Sequence, residues 1–238
     1  MKKYVFALIL STSSFLSQAA LLYSNGPVVD GSGLSVITSP STLLGAGAQT
    51  TAGNSVAENF TIASGVTWTI TDLDFFSYQS FATGFTFVNA TWSIVSGDVN
   101  SGTIMASNLN ALTNGGFQGY RVTSTTLANT DRSIYLANAD IDDLVLGAGD
   151  YWLRWSLTGS AASGPWIPTM SDARTGNAQQ SANSGLFSTL FDAGSQLTVE
   201  LPFAINGSVL TNDVPEPAML TLLGLGLLGM AGARRRKK

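Results

Sequence analysis

The chain has 238 residues with no cysteine and no histidine, which removes Cys–His and Ser–His–Asp nucleophile systems, thiolate and imidazole zinc sites, and haem ligation through either residue. Lys2, Lys3 and the last five residues hold seven of the 11 cations, leaving Arg121, Arg132, Arg154 and Arg174 against 15 acidic residues between Ala20 and Ala233, a formal charge of −11. So few cations argue against nucleic acid and anionic lipid headgroups as partners, and such a surface repels an acidic polysaccharide unless metal ions bridge the two.

Lys2 and Lys3 precede an apolar run from Tyr4 to Leu10, and Ser17-Gln18-Ala19 places small residues where a signal peptidase reads. Residues 1–19 are therefore predicted to be a cleaved secretory signal. With both termini set aside, the remaining length suits one exported domain, predicted over 20–207, and without disulfides it must rely on its hydrophobic core.

The mature start, Tyr23-Ser24-Asn25-Gly26-Pro27, is turn chemistry, and Leu34 to Ile37 is the only short strand expected within the Gly/Ser/Thr-rich stretch that follows. After that the apolar period becomes two. Val66, Trp68 and Ile70 alternate with threonines; Tyr151, Leu153, Trp155 and Leu157 alternate with Trp152, Arg154, Ser156 and Thr158; and Leu197 to Ile205 alternates through Glu200 and Pro202. Pro202, which cannot donate to a ladder, marks that last strand as an edge. Further strands are expected at 56–62, 72–78, 85–95, 103–106, 120–125, 134–137 and 186–191. About ten strands without intervening helices predict an all-β, antiparallel β-sandwich, jelly-roll-like. Residues 208–213 read as a short polar linker.

Candidate sites are few. Asp140, Asp142 and Asp143 offer hard oxygen ligands to Ca²⁺, but their spacing fits no EF-hand and also suits a solvated acidic turn. Trp166, between Pro165 and Pro168, is either a stacking platform for a sugar ring or a plug in the end of the sandwich. Trp68, Trp92 and Trp155 read as core, whereas Trp152 shares a face with Arg154 and Ser156 and is a candidate ligand contact. Glu58 and Glu200 are the only glutamates within the predicted fold, and a glycosidase needs two carboxyl groups at a fixed separation. Nothing in the sequence brings them together. No cofactor is expected.

Val214 to Lys238 has three parts in order. Pro215-Glu216-Pro217 comes first, then uncharged Ala218 to Ala233, then Arg234, Arg235, Arg236, Lys237 and Lys238. A helix over Ala218 to Ala233 would span about 24 Å against the roughly 30 Å of a bilayer core, a short transmembrane helix, and the five cations would stay cytoplasmic. The trio resembles the PEP-CTERM sorting signal of Gram-negative bacteria. That resemblance implies recognition by an exosortase, a membrane-embedded cysteine protease that cuts near the tripeptide, and passage of an inner-membrane-tethered precursor to the cell surface or an exopolysaccharide matrix. Three functional readings follow: a non-enzymatic surface or matrix protein, a lectin-like carbohydrate-binding module, and an exported carboxylate-dependent glycoside hydrolase.

Overall fold

The computed structural model describes residues 19–210. All but the last residue of the predicted signal peptide, and the whole tail with its predicted transmembrane helix, lie outside the described residues. Among the described residues no helix is long and apolar enough to cross a membrane, and the helical structure is a single 3₁₀ turn at Thr50–Ala52.

Period-two alternation produces strands that each bury one face. Ser55–Ile62 (β4), Trp68–Ser77 (β5), Phe87–Ser96 (β6) and Gly149–Gly159 (β10) turn Phe60, Trp68, Phe75, Trp92, Tyr151, Leu153 and Trp155 into one core. They belong to two six-stranded sheets. With β1 (Ala20–Ser24), β2 (Leu34–Ile37), β8 (Thr113–Thr123), β9 (Ser133–Leu146) and β14 (Phe203–Val209), one runs β1-β14-β5-β9-β8-β2. With β7 (Thr103–Ala111), β12 (Gln179–Ser181) and β13 (Ser188–Thr189), the other runs β13-β12-β4-β10-β6-β7. A small ladder joins β3 (Ala46–Gly47) to β11 (Trp166–Ile167). The expected sandwich is thus present, antiparallel throughout its two sheets except where β2 runs parallel to β8.

Between the sheets, aromatic rings do much of the filling. Phe60 stacks on Tyr151 with ring centroids 5.4 Å apart, and Trp155 lies 5.7 Å from Phe75 and 5.8 Å from Phe203. Such pairs add about 0.5–1.5 kcal/mol each to the area they bury. Both sheets contribute to this cluster, so it ties one layer to the other.

The pairing is nested. β6 pairs with β7, β5 with β9, β4 with β10, and β1 with β14, so the chain is a long hairpin folded over on itself. β14 also pairs with β5 and β10 with β6, which knits the nested pairs into sheets.

Three strand expectations need correction. Pro202 is not on an edge: it is buried immediately before β14, which has neighbours on both sides, and its missing N–H is harmless because the ladder starts at Phe203. Asp140, Asp142 and Asp143 occupy no turn but the middle of β9, where residues 141–143 face the single residue Thr71 across a bulge. β14 continues to Val209, so the predicted linker begins with two strand residues.

Candidate functional site

The loops at one end of the sandwich are held by two buried charges. Asp192, 3% exposed, accepts hydrogen bonds from the backbone N–H groups of Thr42, Leu43, Gly194 and Ser195. Burial alone would raise its pKa, but the N–H groups of Ser195, Leu43 and Thr42 outweigh burial and hold it below the usual carboxylate value. Arg121, 2% exposed, takes the carbonyls of the same segment, donating to Leu44 O at 2.8 Å and Leu43 O at 2.7 Å. Two further donors reach the Ser35 and Thr169 hydroxyls, each at 2.8 Å. Burial pushes its pKa down to about 10. Residues 42–45 are therefore a strap fixed by an anion on its N–H groups and a cation on its carbonyls.

That strap forms one wall of a cleft of about 430 Å³, within the range of small-molecule sites. The opposite wall is the segment 163–166. Trp166 is half-buried, and its backbone is bracketed by β3 on one side and Tyr78 on the other, with Tyr78 N–H donating to Trp166 O at 3.0 Å and the reverse bond at 2.9 Å. The indole Nε1 donates to Ser163 Oγ at 3.1 Å, which fixes the ring's orientation. Tyr78 lies at the base, 2% exposed, and its hydroxyl makes no hydrogen bond to the described residues. Burial pushes that phenol up to about 12 even though Arg121 and Arg132 both pull it down, so it stays a neutral donor. A Cβ on Gly45 would sit 2.9 Å from this hydroxyl and 3.0 Å from Trp166 Cβ, so glycine is what lets the strap come this close.

Ser80, Arg132, Phe191 and Ala193 complete the lining. Phe191 is 55% exposed. Arg132 differs from the other arginines of the domain: Arg121 makes four hydrogen bonds, Arg154 donates to Ser93 Oγ and lies over the Phe187 ring, and Arg174 is paired with Asp172, whereas the Arg132 side chain has no hydrogen bond or ion pair among the described residues.

Trp166 thus packs partly against the buried cluster of Val28, Phe76, Tyr78, Ile134 and Ala204 and also lines an open cleft, which Trp152 does not. Trp152 stands half-buried on the outer face of β10 opposite Asn59 and Val95 and is not part of this cleft's lining. Asp140, Asp142 and Asp143 are exposed, with Asp140 directly opposite Asp72, and no group of three metal-ligating side chains gathers among the described residues. The sequence offered no signal for Tyr78 or Arg132, which lie on segments far apart in the chain.

Glu58 and Glu200 do meet. Glu58, on β4, has no exposed surface, and its Oε1 accepts the Leu201 N–H at 2.6 Å. Its Oε2 has no hydrogen-bond partner and lies beside Glu200, which accepts from Asn25 Nδ2 at 2.7 Å. Burial, with Glu200's charge adding to it, pushes Glu58 up to about 10, so it carries a proton at neutral pH. The same burial, followed by the charges of Glu200 and Glu58, raises Tyr23, whose hydroxyl donates to Asn25 Oδ1 at 3.0 Å. A carboxyl group without accessible surface cannot touch a glycosidic oxygen; in this conformation Glu58 instead ties β4 to the segment leading into β14 through the Leu201 N–H.

Comparison with known families finds the PEP-CTERM protein-sorting motif at residues 213–237. Residues 213–237 therefore carry a PEP-CTERM sorting motif, and the motif implies processing by an exosortase, a membrane protease, with export as a membrane-anchored precursor. No curated protein matches the chain.

Proposed function

We propose that this is a non-enzymatic surface or extracellular-matrix protein whose exported domain is released from the membrane by exosortase-type cleavage near Pro215-Glu216-Pro217. The observation that carries the proposal is the sorting-motif match at 213–237. Within it the tripeptide, the uncharged stretch Ala218 to Ala233 and the basic end stand in order. Lipid affinity alone would need only the apolar stretch and would be indifferent to the tripeptide. Proline at 217 biases Glu216 away from helix and keeps that backbone open to a protease. Glu216→Ala should therefore leave uncut precursor in the inner membrane while the exported fold is unaffected. Unchanged delivery to the surface in that variant would reduce the tail to a plain membrane span.

The domain carried by this signal is read as a jelly roll. Nested pairing of four strand pairs, split as β1-β14-β5-β9 against β4-β10-β6-β7, supports that reading, with β2 and β8 added at one edge and β12 and β13 at another. A second functional reading, a carbohydrate-binding module, is favoured by one observation: the cleft with Trp166, Phe191 and an unengaged Tyr78 hydroxyl. The two readings are compatible, since a surface protein can also bind sugar.

A further inference from the structure

The cleft has a chemical bias that binding-module language leaves open. Its side chains supply an indole and a phenyl ring, Trp166 and Phe191, four hydroxyls at Thr42, Tyr78, Ser80 and Ser163, and one cation, Arg132. Rings with one apolar face and several hydroxyls suit such a lining, because the face covers an aromatic surface while the hydroxyls exchange hydrogen bonds. Two features select among such rings. The Tyr78 hydroxyl makes no hydrogen bond to the described residues and lines the cleft, so its proton is available to a ligand or to solvent there. Arg132 is the one unengaged guanidinium among the described residues, and its planar fork matches a carboxylate.

We infer that the cleft binds a single acidic sugar ring, a hexuronate, with its carboxylate on Arg132, a ring hydroxyl on Tyr78 and its apolar face on Trp166. This inference rests on the carbohydrate-binding reading and specifies its ligand. A long polyanion is disfavoured by the same charge count that makes Arg132 exceptional. Four arginines stand against 15 acidic residues between Ala20 and Ala233, so repulsion accumulates along any extended acidic chain, while one carboxylate at the cleft meets a local cation. A phosphorylated ligand fits less well, since one guanidinium would face two negative charges.

The test is a titration of the full chain, followed by tryptophan fluorescence and calorimetry, with glucuronate and galacturonate, their neutral parents glucose and galactose, and acetate. The uronates should saturate and bind about tenfold more tightly than the neutral hexoses, as expected for a hydrogen bond to a charged group, and acetate should not saturate. Arg132→Gln should remove the preference, bringing uronate affinity down to that of the neutral sugar. Tyr78→Phe should weaken both kinds of sugar at an unchanged melting temperature, because the hydroxyl it removes holds nothing in the fold. Equal binding of acidic and neutral sugars, or an Arg132→Gln variant that keeps the preference, overturns the acidic ligand and leaves the binding module standing. Failure of every sugar to saturate overturns both.

Discussion

Glu58 shows how much a single residue's role depends on neighbours that the sequence does not place beside it. Its folded pKa, pushed up to about 10 by burial and by Glu200, lies above the unfolded value. The native state therefore holds a proton that the unfolded chain releases. The stability this contributes is complete below the unfolded pKa, near 4.5, and is lost as pH rises towards 10. Glu58→Gln keeps an acceptor for the Leu201 N–H and replaces the ionisable oxygen by a permanent donor. Urea midpoints should fall from pH 5 to pH 9 in the wild type and fall less in the variant, so that the variant is the more stable at pH 9. Parallel profiles would mean that Glu58 is not a buried acid. Arg121 is the second such residue: Arg121→Ala strands two strap carbonyls and should cost about 3–5 kcal/mol in chemical denaturation. A loss under about 1 kcal/mol would remove it from the strap's support.

At the scale of elements, alternation carried the reading wherever a strand has one dry face. The face of β10 is the cleanest instance, with Tyr151, Leu153, Trp155 and Leu157 buried and the residues between them turned outward. Trp155→Ala should cost about 3–5 kcal/mol in thermal or urea melts, whereas Trp152→Ala, half-buried on the outer face, should cost under about 1. Equal losses would mean that both faces of β10 are packed. The sequence was silent on the second half of β7 and the first half of β8. β7 is an edge strand exposed along most of its length, and β8 starts Thr113-Asn114-Gly115-Gly116 with two register shifts, so neither imposes an apolar pattern on its sequence. Leu197 to Ile205 shows the opposite failure: its alternation is real, but Leu197 is exposed and the ladder does not begin until Phe203. The cleft was the least legible part. Its lining comes from five separated segments, and only Trp166 carried a local sign, an aromatic residue in a proline-rich loop. Tyr78 looked like any residue at a strand's end, and what sets Arg132 apart is that the other three arginines are engaged, a fact of the fold alone.

For the whole molecule, the charge count and the two basic ends describe one itinerary. Basic residues precede an apolar run at the start and close the chain at Lys238, while the stretch between them, exported on the proposed reading, holds four cations. The sorting motif fits the proposal that a domain relying on its own core, without disulfides, is held close to the membrane until a protease frees it. A reporter inserted near Asn212 should accordingly be found outside the cytoplasm, and one fused after Lys238 inside it before processing. Cytoplasmic signal from the Asn212 insertion would contradict export. The most direct measurement is the intact mass of the protein recovered from its native host, with its C-terminal peptide sequenced. Exosortase-type processing predicts a mature chain that ends near Pro215-Glu216-Pro217 and lacks Ala218 to Lys238. A mature chain that retains Arg234 to Lys238 would contradict it.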